Sequence, residues 1–313
     1  MNTCACDATL NNTGTPTCNS LMDVAEMLIL VPKYDSNGAL NYIDLTATLN
    51  QAYFDGKINA ANKEDRWFPL PRHKNATSTK ADSVFQTWDD NSKELIREGL
   101  RSWSVIFPKQ TPTFLGKLKN WRCDEFGLYI IDKTGNLIGS LDATNKLYPI
   151  AVEAASWNPV FVYTTPTSVQ QISLGFDFDQ TALDENLQII LAADLGAVKL
   201  LNLKGLIDVF STVSSITTTG FTVELWDEYG DALNPGVVKN LTAVDFISSV
   251  GGATSKVRNQ TDAADVAITA TESPDGTYAI AYSAQTSADV LILKPSAAGF
   301  DFSAVEAATI TIP

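Results

Sequence analysis

Three places in the sequence bring together residues that can do chemistry. Asp177-Phe178-Asp179-Gln180-Thr181 sets two carboxylates two residues apart, just before a threonine. In phosphoryl transfer that spacing lets a first aspartate attack phosphorus while a second acts as acid and base. Cys4, Cys6 and Cys18 crowd one short stretch, with Cys123 far away. Three or four thiolates can bind zinc, and His73 could complete such a set. His73 is also the sole histidine, and a nucleophilic triad needs a histidine base oriented by an acid.

Each has a plainer reading. Aspartyl phosphoryl transfer needs parallel strands and several helices, whereas this chain has few helical patterns. Acids at alternate positions on the polar face of an antiparallel strand account for Asp177 and Asp179 more simply. Cys-x-Cys is not the usual zinc-knuckle spacing, so reduced thiols, or one disulfide formed after release, compete with a metal. His73 lies in a polar stretch beside Pro71 and Arg72 and reads as a surface residue. No Walker lysine motif and no dinucleotide-binding glycine pattern occurs. The expectation is a protein with no enzymatic activity and no cofactor other than zinc at Cys4, Cys6 and Cys18.

The elements that must position these residues are mostly strands. Residues 1–20 read as an irregular, cysteine-bearing arm. An apolar stretch over 23–34, the turn Asp35-Ser36-Asn37-Gly38 and a resumption at 41–45 predict a hairpin. A short helix is an alternative over 45–54. Residues 55–82, broken by Pro69 and Pro71, read as a long loop with a short extended piece at Arg66-Trp67-Phe68. Alternation over 93–107 favours one long strand despite Gly99. The apolar stripe Phe114, Leu115, Leu118, Trp121 predicts a helix over 112–122. A hairpin follows over 126–141, then one or two strands within 148–163. Over 168–178, Ile172, Leu174, Phe176 and Phe178 face one way, and the polar residues up to Asp179 face the other.

Beyond residue 206, strands of six to ten residues recur between Asp, Gly, Pro and Ser turns. They predict a small immunoglobulin-like sandwich over 207–313, following a larger β domain over 21–206.

Net charge is 22 − 36 = −14. Residues 207–313 hold four basic and thirteen acidic side chains, while 33–122 hold fourteen basic and ten acidic. A chain this acidic is a poor nucleic-acid binder, since phosphate contacts need Lys and Arg. No apolar run reaches membrane-span length, so no membrane insertion is expected. The N-terminus lacks the pattern of a secretory leader, which makes the four Asn-x-Ser/Thr sites chance matches.

Three segments together resemble the tail tube (major tail) proteins of long-tailed bacteriophages. They are 84–103 (VFQTWDDNSKELIREGLRSW), the 126–141 hairpin after its short helix, and 169–195 with its Asp-Glu-Asn-Leu turn. The likeness covers about two thirds of the chain and rests on order and texture. It implies a β-sandwich or half-barrel with one flanking helix, followed here by an immunoglobulin-like domain. It also implies copies joined into rings, usually hexameric, stacked into a tube that conducts DNA as non-specific cargo. The resemblance places the protein in the virion tail, assembled in the host cytoplasm and meeting other tail proteins. It makes Asp177 and Asp179 candidates for an acidic lumen. Arg66, Trp67, His73, Arg97 and Arg101 become candidates for contacts between subunits. The competing readings are another virion component such as a head decoration or tail-tip protein, a surface adhesin or carbohydrate-binding module, and a phosphatase acting through Asp177 and Asp179.

Overall fold

A computed structural model describes residues 21–313, apart from 183, 197, 232 and 247–255. The first strand, β1 (Ala25–Pro32), is apolar and buried along almost its whole length. The turn after it forms as expected, with the Asp35 carbonyl accepting from Gly38 N–H at 2.9 Å. Gly38 there takes a left-handed φ of +79°, which glycine adopts without steric cost. The expected hairpin closes only beside its turn, where Tyr34 and Leu40 form an antiparallel bridge and Asn41 N–H donates to Lys33 O, and beyond it β2 (Ile43–Asp44) pairs with Lys146 and Leu147 instead of β1. The helix α1 (Gln51–Ile58) starts later than Leu45, where Asn50 Oδ1 accepts from Tyr53 N–H at 3.0 Å.

Residues 55–82 are not a long loop. They contain the end of α1, then β3 (Phe68–Pro69) and β4 (Lys74–Lys80). Nor is 93–107 one strand. β5 (Val84–Thr87) and β6 (Lys93–Arg97) form a hairpin, and β7 (Arg101–Pro108) starts anew. Gly99 makes the break, since a Cβ there would lie 1.7 Å from Ala81 O. Helix α2 (Pro112–Asn120) is capped by Thr111 and buries Phe114 and Leu118. The expected hairpin follows as β8 (Phe126–Asp132) and β9 (Leu137–Leu141). The unit is completed by β10 (Lys146–Tyr148), β11 (Ile150–Ala151), β12 (Asn158–Val162), β13 (Gln171–Asp177) and β14 (Leu187–Ile190).

Two sheets pack face to face. One runs β2-β10-β9-β8-β1-β3, with β11 and β14 added on β8 and β9, and the other runs β12-β13-β7-β4. Between them Leu28, Leu30, Leu128 and Ile130 meet Val105, Phe107, Ile172 and Leu174. The first sheet is covered on its other side too. There Met27, Ile29, Tyr129 and Ile131 pack with Phe54, Trp67, Leu195 and Leu200. Burial on both faces explains why β1 and β8 read as unbroken apolar runs, while β7 and β13, covered on one face, alternate.

The β8–β9 turn rests on one carboxylate. Asp132 is fully buried. It accepts from Thr134 N–H and Oγ1, Asn136 N–H and Nδ2, and Asp23 N–H, at 2.7–3.2 Å. Burial alone would raise this carboxyl, but those donors hold it below the usual carboxylate range. Asp132→Ala is expected to cost about 2–3 kcal/mol, since it orphans buried donors. Asp132→Asn should restore little of this, because an amide presents a donor to groups that are themselves donors. Urea unfolding of the two variants checks both statements.

The C-terminal unit begins with β15 (Ile207–Asp208), β16 (Phe210–Thr217), β17 (Gly220–Asp227) and β18 (Gly236–Val237). It continues with β19 (Lys256–Asn259), β20 (Ala264–Glu272), β21 (Thr277–Tyr282) and β22 (Val290–Ile292), then β23 (Phe300–Asp301), helix α3 (Ser303–Glu306) and β24 (Thr309–Thr311). Its main sheet runs β16-β17-β21-β20-β19-β22-β24 and curls until β16 and β24 meet. The result is a near-closed barrel around Val223, Leu225, Val257, Tyr278, Leu291 and Ile310. One strand expected over 243–248 is instead a short 3-10 turn at Ala243–Asp245, and its last residues lie outside those described. The whole chain is thus mainly β, sandwich followed by near-barrel, with few helices.

Candidate functional site

The Asp177–Thr181 motif does not form a catalytic pair. Its strand, β13, is antiparallel to both neighbours, β12 and β7. Asp179 lies beyond the strand end, where its Oδ1 accepts from Thr181 N–H at 2.7 Å and Thr181 Oγ1 at 2.6 Å. Those two bonds hold its carboxyl below the usual range. The same Asp-x-Thr/Ser turn recurs at Asp44–Thr46, Asp90–Ser92, Asp132–Thr134 and Asp142–Thr144. Asp179 is therefore one of a set of turn-closing aspartates.

Asp177 lies elsewhere, opposite Ser102 on the outward face of the β12-β13-β7-β4 sheet. Strand pairing puts Asn158, Gly175, Ser104 and Thr77 in the adjoining row and Ser173 beyond it. Thr77 Oγ1 and Ser104 Oγ share a hydrogen bond of 2.6 Å. The rows nearest Asp177 thus carry small polar side chains, while the Ser173 row adds Val160, Ile106 and Lys74, so the face is mixed with a carboxylate near one end. Both edges of this sheet, β4 and β12, carry a single strand neighbour, though Pro159 removes one donor from β12.

Three of the residues expected to touch neighbouring subunits are interior. Trp67, 1% exposed, packs against Tyr53, Phe54 and Tyr129. Arg66, 7% exposed, reaches the C-terminal unit, where its Nη1 meets Asp301 Oδ2 at 2.5 Å while its Nε donates to Ala60 O. His73, 2% exposed, lies edge-on to Phe107, and neither ring nitrogen has a hydrogen-bond partner. Burial pushes its pKa down to about 4. No acid orients it as a base would require. The polar composition around these residues concealed that the chain folds back over them, so they hold the subunit together and are not free to meet a neighbour.

Arg97 and Arg101 flank a different feature. Arg97 ends β6 and is exposed. Arg101 Nη2 meets Asp184 at 2.6 Å, and Asp184 also pairs with Lys80, which in turn reaches Glu98. This network braces the root of the β5–β6 hairpin, above which every strand residue is exposed. Phe85, Trp88, Leu95 and Ile96 are 46–61% exposed. A tight turn shapes the tip, where Asp90 caps Ser92 and Asn91 adopts φ +65°. The signals for this arm are Asp89-Asp90-Asn91-Ser92 and Gly99, which the alternation after Leu100 masks.

Cys4, Cys6 and Cys18 lie outside the described residues, while Cys123 is a free, exposed thiol. The described residues contain no group of three or more His, Cys, Asp and Glu side chains that could hold a metal. Among the described residues no helix is long and apolar enough to cross a membrane. No family model, curated protein or solved structure matches the chain.

Proposed function

We propose that the chain is a structural subunit that assembles with copies of itself into stacked rings, forming the tail tube of a long-tailed bacteriophage. The observation that carries this reading is the β5–β6 hairpin. An isolated two-stranded ribbon has little stability of its own, and one that displays Phe85, Trp88, Leu95 and Ile96 to water is an interaction element awaiting a cover. The edge strands of the β12-β13-β7-β4 sheet, each with a single strand neighbour, add to the case. They lie at opposite ends of one sheet, so a head-to-tail contact can repeat around a ring until it closes. The Asp177 end of that face, with its small polar rows, suits a lumen along which DNA passes without adhering. In this reading the protein has no catalytic role, works in the virion tail beside other tail proteins, and assembles in the host cytoplasm.

Negative-stain electron microscopy at rising protein concentration tests it. Wild-type protein is expected to form rings or hollow tubes. The combined variant Phe85→Ser, Trp88→Ser, Ile96→Ser is expected to stay monomeric with an unchanged thermal transition, because all three side chains are already exposed. Discrete oligomers without a tube would favour a head-decoration or tail-tip protein. Equal assembly of both proteins would remove the hairpin from the argument.

A further inference from the structure

Among the described residues a large concavity lies where the two units meet. Its volume is about 1480 Å³, above the roughly 300–1,000 Å³ of small-molecule clefts, so its size suits a segment of polypeptide. Phe68 and Trp121 lie in it edge to face, 5.0 Å apart, beside Leu118 and Leu206. Of its charges, Arg66 and Lys117 are already engaged with Asp301 and Asp208. Arg72 is held on one wall by Leu201 O and Asn202 Oδ1 and already pairs with Glu26 at 3.5 Å, and exposed Lys204 follows two residues on, while Glu64 and Asp124 also line the cavity.

The same chain carries a convex counterpart. The β5–β6 hairpin is narrow and apolar, and its turn bears two consecutive acids, Asp89 and Asp90. Every residue of its strands is exposed within a single chain, so its own groove does not cover it. An apolar arm and an apolar groove are complementary in shape class, and exposed Lys204 on the groove wall is opposite in charge to the arm's acidic tip.

We propose that the hairpin of one copy seats in the inter-unit groove of the next. Phe85 and Trp88 lie on the Phe68–Trp121 floor, and the Asp89–Asp90 turn meets Lys204. The contact is heterologous, leaving each copy one groove and one hairpin to offer onward, as rings and stacked arrays require. This deepens the self-assembly reading and rests on it.

The test uses the full chain, with photoreactive benzoylphenylalanine placed at Trp88 and irradiated after assembly. Peptide mass spectrometry is expected to find the link within residues 63–72, 117–125 or 201–208 of another copy. Lys204→Glu, an exposed change, should lower the yield several-fold. Rings or tubes whose position 88 links elsewhere, or nowhere, would overturn the groove assignment and leave self-assembly standing. A chain that forms no assembly at any concentration would overturn both.

Discussion

Arg66→Ala should cost about 3–5 kcal/mol and split unfolding into two transitions. Arg66 belongs to the N-terminal sandwich and Asp301 to the C-terminal barrel, and both side chains are under one tenth exposed. Burial alone would raise the Asp301 carboxyl, but the guanidinium and the Ser303 N–H hold it below the usual range. Removing Arg66 leaves that carboxylate buried and unpaired, which is where the figure of roughly 3–5 kcal/mol arises. The pair is no proof of net stabilisation, since replacing both partners by apolar residues is often neutral. Arg66→Met with Asp301→Leu should therefore recover most of the loss, and the double-mutant cycle isolates the coupling. Differential scanning calorimetry reads both effects. Other inter-unit ties, such as Lys117 to Asp208 and Glu228 and the Thr113 hydroxyl to Glu228 O, are more exposed and cannot substitute. If Arg66→Ala melts in one unshifted transition, the pair does not lock the units together.

This lock also shows where sequence reasoning stops. Local patterns were legible. The turn at Asp35–Gly38, the helix capped by Thr111, the β8–β9 hairpin and the alternation of β13 each follow from residues within a short window. Pairings between distant segments were not. Nothing near Ile43 says that its partner is Leu147 rather than β1. Nothing near Arg66 points to an acid 235 residues later. A polar stretch such as 55–82 looks like a loop until the sheet it closes is known.

The same limit governed the candidate residues. Trp67 and His73 lie among polar neighbours in sequence but among aromatic rings in space, so local composition misjudged their exposure. The hairpin went the other way. Its apolar residues suggested a strand, which it is, but not that both of its faces meet solvent. Exposure on two faces depends on whether anything else in the fold covers the segment. Among the described residues nothing covers the β5–β6 ribbon, and that is why it bears on assembly.

His73 yields the second large effect, in pH dependence. The imidazole is buried where the chain crosses from β3 of one sheet to β4 of the other. Its backbone N–H donates to Glu26 O, but neither ring nitrogen has a partner. Desolvation lowers its pKa from 6.5 to about 4. Between those values the unfolded chain binds a proton that the folded chain refuses, so stability rises with pH. The contribution is fully present above about 6.5, falls as the pH drops, and is gone by about 4. At roughly 1.36 kcal/mol per pKa unit, the gap amounts to about 3 kcal/mol. The paired carboxylates behave differently in position though not in sign. Asp132 and Asp301, held below their usual value of 3.8, lose their contribution only as the pH falls further. Acid unfolding should therefore show two stages. His73→Phe, which keeps an aromatic ring beside Phe107, should abolish the upper stage and leave the lower one. Urea unfolding across the range separates the two. An unchanged upper slope in His73→Phe would assign that stage to another group. A flat wild-type profile would mean that the imidazole finds a partner when protonated, in which case the crossover between the sheets opens more readily than its packing indicates.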